Sequence, residues 1–149
     1  MDEIDFKILN LLQTDSTLPA SKIAKKVGLS TSPCWKRISR LWEQGVIRRQ
    51  VSILNASQLG CGLTAYVSIK TGEHSGDWLN KFSETVTGMP EVMEFHRMAG
   101  DVDYMLKVVV ADIDAFDKFY KRLIASSAIS EVTSRFSMEK IKETTELPL

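Results

Sequence analysis

Apolar residues recur along the first fifty positions at the three-to-four spacing of helices buried on one side. Ile4, Ile8, Leu11 and Leu12 mark one stripe, and Asp2, Glu3 and Asp5 stand where a helix N-terminus favours acids. Ala20, Ile23, Ala24 and Val27 repeat the pattern, and Gly28 supplies a stop. Leu29 follows, then Ser30 or Thr31 as an N-cap, with Pro33 in the first turn, where a missing N–H does no harm. Cys34, Ile38 and Leu41 form the stripe of a third helix, which Gly45 ends. Three short helices with a tight glycine turn between the last two make a helix-turn-helix pattern. The segment "VIRRQVSIL" is β-branched and alternating and predicts a strand after the helices, as in a winged helix-turn-helix.

The periodicity changes after the turn-rich joint "NASQLGCG". "LTAYVSIK" alternates Leu63, Ala65, Val67 and Ile69 with polar partners, the pattern of a half-buried strand. Residues 77–87 predict a helix with Trp78, Leu79, Phe82 and Val86 inward and Gly88 as its stop. "EVMEFHRM" and "DYMLKVVV" read as strands joined by a tight turn at "AGDV". Ile113, Phe116, Tyr120 and Leu123 mark a further helix, and "SEVTSRFSM" a last strand before the tail "EKIKETTELPL". The order β-α-β-β-α-β is the ferredoxin-like arrangement, an antiparallel sheet with both helices on one face and the other face open to pair with another sheet. The expected class is α+β: a helix-turn-helix domain over 1–50, a linker strand and joint over 51–62, and a ferredoxin-like domain over 63–149.

Charge sharpens this division. The 149-residue chain has no net charge, yet residues 1–50 carry nine Lys/Arg against five Asp/Glu, and residues 16–50 carry eight against one. Residues 51–149 hold the compensating acid excess, ten against fourteen. One unit is therefore suited to a polyanion and the other is not. In a helix-turn-helix the last helix lies in the DNA major groove with its N-terminal residues at the base edges. That places Ser30, Thr31, Ser32, Lys36 and Arg37 toward DNA, with Lys36 and Arg37 as base contacts. Ser32, Arg40, Lys22, Lys25 and Lys26 are expected at phosphates, and Arg48 and Arg49, which begin the strand that follows, are expected to meet DNA as well.

Other chemistry finds little support. Trp35 and Trp42, seven apart, share a helical face and are expected to pack in a core or interface, since stacking on bases suits single strands. Cys34 lacks a base, because His74 and His96 both lie in the other half, and it reads as a small buried apolar residue. Cys34 and Cys61 suggest neither a metal cluster nor a disulfide framework. No catalytic residues, metal or cofactor are expected. Absence of a signal-like start and of a long apolar run points to a cytoplasmic protein without a membrane segment. In "MAGDVDYM", Gly100 permits an unusual backbone angle, and Asp101 and Asp103 could meet an ammonium group or simply serve turn chemistry.

Taken in order, "IDFKILNLLQ", "IAKKVGLSTSPCWKRISRL", "GVI", "GDVDYMLKV" and "EVTSRFSMEKIKETTELPL" resemble the transcription regulators of the Lrp/AsnC, or feast/famine, family over nearly the whole chain. The resemblance implies that the second domain senses a ligand and mediates oligomerisation, with sheets pairing into dimers and dimers assembling into octamers. It implies a small amino-acid effector held between dimers, by Arg97, Met98, Gly100, Asp101, Asp103 and Tyr104 of the hairpin and by Ser134 and Arg135 of a neighbour's final strand. Three positions depart from the family pattern. Val102 replaces a common aromatic residue and would make the pocket roomier or reshape its wall; Arg135 replaces a usually uncharged residue and would alter effector choice or abolish binding. Trp42 replaces a usually charged residue and would add a packing contact. The resulting expectation is a sequence-specific regulator of double-stranded DNA that responds to an amino acid. The competing reading is an architectural DNA-wrapping protein with no working effector site.

Overall fold

A computed structural model describes residues 1–73, 75–125 and 129–149; His74 lies outside the described residues. The chain forms two compact units, one of Met1–Ile53 with Ile141–Leu149, the other of Leu54–Lys140. The tail from Ile141 onward thus folds with the first unit, whereas the alternation-based reading runs the second domain through to residue 149.

The first unit is built from α1 (Glu3–Thr14), α2 (Ala20–Val27) and α3 (Thr31–Glu43). A reciprocal capping box starts α1: Asp2 accepts from the Asp5 N–H at 3.0 Å while Asp5 accepts from the Asp2 N–H at 3.1 Å. Gly28 ends α2 in the left-handed region (φ 74°), and Leu29 N–H returns to the Ala24 carbonyl. This reversal is tight enough to place α3 three residues later against the same core. Ile8, Ile23, Ala24, Cys34 and Leu41 make that core, all essentially buried. Burial raises the Cys34 thiol pKa, against the opposing charge of Arg37, so the residue is an apolar filler rather than a nucleophile.

The strand expected in "VIRRQVSIL" is absent among the described residues. Its β-branched alternation suits a ladder, but strands need a hydrogen-bonding partner, and only the four-stranded sheet of the second unit forms one. The C-terminal tail is anchored on α1 instead. Gln13 donates from Nε2 to the Leu147 carbonyl at 2.9 Å, and Leu147 N–H donates to Gln13 Oε1 at 2.8 Å.

In the second unit β1 (Leu63–Lys70), α4 (Gly76–Thr87), β2 (Val92–Arg97), β3 (Tyr104–Val110), α5 (Ile113–Ala125) and β4 (Glu131–Phe136) follow the expected βαββαβ order. The sheet is antiparallel with strand order β2-β3-β1-β4. Ala65, Val67 and Ile69 of β1 join Leu106, Val108 and Val110 of β3 on one face, against Phe82 and Val86 of α4 and Phe119 and Leu123 of α5. Trp78, Phe82, Phe95 and Tyr104 form an aromatic group inside this core, with Trp78 stacked on Phe82 at 4.8 Å. The α5 stripe is shifted by one side chain from the expectation: Ile113 is exposed, and Phe119 takes a fully buried place. Ile113 is the first residue of its helix.

Candidate functional site

Residues expected to meet DNA lie in the first unit, and most stand free at its surface. Lys22, Lys25 and Lys26 occupy the outer side of α2, opposite buried Ile23 and Ala24. Ser30, Thr31, Ser32 and Lys36 are exposed at the N-terminal half of α3, and Arg48 and Arg49 are exposed beyond its end. Ser30 is the N-cap residue, yet its side chain makes no capping hydrogen bond. α1 and α4 are capped by side chains, α4 by the Ser75 hydroxyl accepting from Trp78 N–H, whereas α2, like α3, has no side-chain cap. The first N–H groups of α3 thus lack a side-chain acceptor, and a helix N-terminus so disposed favours a phosphate oxygen.

Arg37 and Arg40 behave differently. Arg37 Nη1 donates to Asp2 Oδ2 at 2.7 Å and to Asp5 Oδ1 at 2.8 Å; Arg40 Nη2 donates to Asp5 Oδ2 at 2.7 Å. The Asp5 side chain is 1% exposed, so α3 wraps two guanidinium groups around a carboxylate buried at the start of α1. Burial alone would raise the Asp5 pKa, but the Arg37 hydrogen bond, the Asp2 N–H and the Arg40 charge outweigh it and hold the carboxyl below its ordinary range. Asp2 is likewise held low, first by the Arg37 hydrogen bond and then by the Asp5 N–H. In the free protein Arg37 therefore fixes α3 to α1, while Lys36 stands clear beside it. The acids at positions 2, 3 and 5 announced a helix start; nothing in their spacing announced partners some 35 residues away.

The tryptophans depart from the packing expectation. Trp35 is 60% exposed and Trp42 39% exposed. Trp42 lines a cleft of about 480 Å³ within the first unit, with Phe6, Leu9, Val46, Val51 and Leu147. Trp35 is not among the residues lining that cleft. Cys34, Ile38 and Leu41 alone set the inward stripe, and Trp35 stands one residue, about 100°, round the helix from Cys34. That offset was legible in the sequence.

In the second unit the hairpin residues gather at one end of the sheet. Met98 N–H donates to the Asp103 carbonyl at 2.8 Å, closing the turn, and Gly100 sits at φ 135°, a region open mainly to glycine. Arg97, Met98 and Asp101 are exposed, and Tyr104 is buried in the aromatic group. Asp103 takes up the structural role: its Oδ2 accepts from Thr71 N–H at 2.8 Å, tying the turn to the end of β1.

Ser134 and Arg135 are not brought to this hairpin within one chain. They lie on β4, at the opposite edge of the sheet from β2, and adjacent strand residues point to opposite faces. Arg135 crosses the open face, donating from Nη1 to Ser68 Oγ at 3.0 Å. Ser134 Oγ is buried with no hydrogen-bond partner among the described residues. The open face also carries Glu94, which accepts from Lys107 at 2.7 Å and pairs with His96 at 3.2 Å; those two contacts lower its pKa. No group of three or more His, Cys, Asp or Glu that could hold a metal occurs among the described residues, and no described helix is long and apolar enough to cross a membrane.

Comparisons with known proteins also divide the chain in two, with the second match running on into the tail that folds with the first unit. Residues 1–48 match a model described as winged helix-turn-helix DNA-binding, and residues 64–147 match the Lrp/AsnC ligand binding domain. The chain is 50% identical to the DNA-binding transcriptional activator DecR of Escherichia coli K12, over 100% of this chain and 99% of DecR. A crystal structure of an AsnC family transcriptional regulator from Agrobacterium tumefaciens superposes with a TM-score of 0.96 at 57% identity, covering 99% of this chain and 97% of that one. A Neisseria meningitidis transcriptional regulator solved in complex with L-Met superposes with a TM-score of 0.94 at 30% identity, covering 99% and 96%.

Proposed function

Because this chain belongs to the Lrp/AsnC family of DNA-binding transcription regulators, we propose that it reads double-stranded DNA through the exposed N-terminal half of α3 and adjusts that binding to a small amino acid. The observation that carries the first part is the free face of α3. Ser30, Thr31, Ser32 and Lys36 stand exposed at an N-terminus without a side-chain cap, beside the exposed lysines of α2. Lys36 contacts a base edge; Lys22, Lys25, Lys26 and the α3 N–H groups hold phosphates; Arg48 and Arg49 extend the basic surface. Arg37 and Arg40 orient α3 by holding Asp5 and act on DNA through that orientation.

For the effector, the support is the ligand-binding-domain match and the L-Met bound by the Neisseria relative. The hairpin around Gly100 supplies backbone N–H groups for a carboxylate, and exposed Asp101 a charge for an ammonium group. Hairpin and β4 occupy opposite edges of the sheet, so a site using both is completed by a second copy. The open sheet face pairs copies into dimers, and the dimers assemble further, up to an octamer. Such a ring multiplies weak single contacts over several phased sites. Function is exercised in the cytoplasm, where the DNA is.

Fluorescence anisotropy tests the reading, using the full-length protein on its own upstream duplex and on a scrambled duplex of equal length at two salt concentrations. Selective binding that weakens steeply with salt is expected. Equal affinity for both duplexes would replace the regulator with an architectural DNA-wrapping protein. Calorimetry with a panel of amino acids tests the effector; no heat with any of them would remove the sensing half.

A further inference from the structure

We propose that Trp35 is a base-reading residue that packs against thymine 5-methyl groups in the major groove. The inference rests on the DNA-reading role given to α3 above and names the base chemistry that its exposed face selects.

Trp35 is 60% exposed, while Cys34 and Leu41 on the neighbouring stripe are fully buried. Its surroundings on the outer side of α3 are the exposed Thr31, Ser32 and Lys36. Arg37, the side chain whose fork would best grip guanine, is bound at Nη1 by Asp2 and Asp5. What α3 offers a groove is therefore a few hydroxyls, one ammonium and one large apolar ring.

Among the edges of unmodified base pairs in the major groove, the apolar feature is the thymine methyl; the others are hydrogen-bond donors and acceptors. A duplex presents base edges there rather than base faces, so the indole meets methyl groups and does not stack. The surface delivering it is electrostatically suited to a polyanion, since residues 16–50 carry eight cations against one acid. Most of the indole lies in water in the folded unit. Placed against a methyl group it becomes a buried aromatic anchor, the kind of residue that dominates interface energetics.

The test begins with duplexes selected from a random-sequence pool by the full-length protein. Affinities on the best duplex are then measured for the wild type, Trp35→Ala and Trp35→Phe, with each thymine replaced singly by deoxyuridine. Wild type is expected to lose about fourfold at one or two positions in each half-site, the value of one buried methyl group. Trp35→Ala should bind the parent duplex at least as weakly as that, with no further loss at the same positions and an unchanged Tm. Trp35→Phe should keep part of the methyl dependence. The inference is overturned if Trp35→Ala retains the wild-type pattern of deoxyuridine losses, or if the selected half-sites contain no thymine while the wild type remains selective. Equal binding of wild type to selected and scrambled duplexes would overturn the reading of α3 itself along with it.

Discussion

Arg37 of α3 donates to the buried carboxylate of Asp5 at 2.8 Å, and Asp5 in turn accepts from the Asp2 N–H in the capping box that starts α1. One carboxylate therefore sets both the beginning of α1 and the pose of α3. Removing either partner has different consequences. Without Asp5 the two guanidinium groups can turn to water, since Arg40 is 47% and Arg37 26% exposed at the side chain. Without Arg37 a carboxylate stays buried with Arg40 and the Asp2 N–H as its remaining partners, and an under-compensated buried charge is the costlier fault.

Asp5→Asn is accordingly expected to lower the stability of the first unit by about 1.5–3 kcal/mol, the scale of a hydrogen bond to a charged group. Arg37→Ala should destabilise it more, and should weaken DNA binding only together with that loss. Denaturant midpoints for the two variants check the order.

The same carboxylate makes stability acid-sensitive. Its folded pKa lies below the unfolded value, so its contribution is complete above roughly pH 3.9 and is lost as pH falls through the lower folded value. Unfolding curves between pH 7 and pH 2 should show wild type losing its advantage over Asp5→Asn in that acid window. A constant difference down to pH 2 would contradict it.

Substitutions at Lys25 and Lys36 test the proposed split between phosphate and base contacts. Lys25→Ala should weaken binding to selected and random duplexes alike and reduce the log–log salt slope by about 0.9. Lys36→Ala should weaken the selected duplex by about 1–3 kcal/mol and the random one much less. Both side chains are exposed, so Tm should not move. Anisotropy titrations across a salt series read the affinities and the slope, and thermal melts read the Tm.

Gly100 has no heavy atom within 4 Å of an added Cβ, but its φ of 135° is unfavourable for any side chain. Gly100→Ala should therefore strain the turn by about 1–3 kcal/mol without a clash. Faster amide exchange at Met98, whose N–H closes the turn onto Asp103, would report it. A parallel loss of amino-acid heat in calorimetry would tie the turn to effector binding.

Gln13 holds the tail through two hydrogen bonds to the Leu147 backbone. Gln13→Ala should release protection of the Leu147 amide and expose the tail to protease, at a cost of about 1 kcal/mol or less for exposed bonds. Unchanged exchange at Leu147 would mean that contacts other than the Gln13 bonds secure the tail.

Much of this architecture was written in short-range pattern. Stripes at three-to-four spacing located α1, α2 and α3, glycine 28 marked the reversal between the last two, and strict alternation delimited β1 at Leu63–Lys70. The divided charge separated a DNA-facing unit from its neighbour. Even the opposed directions of Ser134 and Arg135 were legible, because a strand has a period of two. These features depend on residues within a few positions of one another, where backbone geometry alone decides which side chains share a face.

Tertiary structure decided the rest. That Arg37 serves Asp5, that Asp103 is tied to Thr71, and that Gln13 catches Leu147 are pairings across 32 to 134 positions. Periodicity carries no information about such partners, since they meet only after the helices and strands have packed. The strand expected at "VIRRQVSIL" makes the same point from the other side. Its residues have the local preference, but a ladder requires a second strand, and that is a property of the assembled chain.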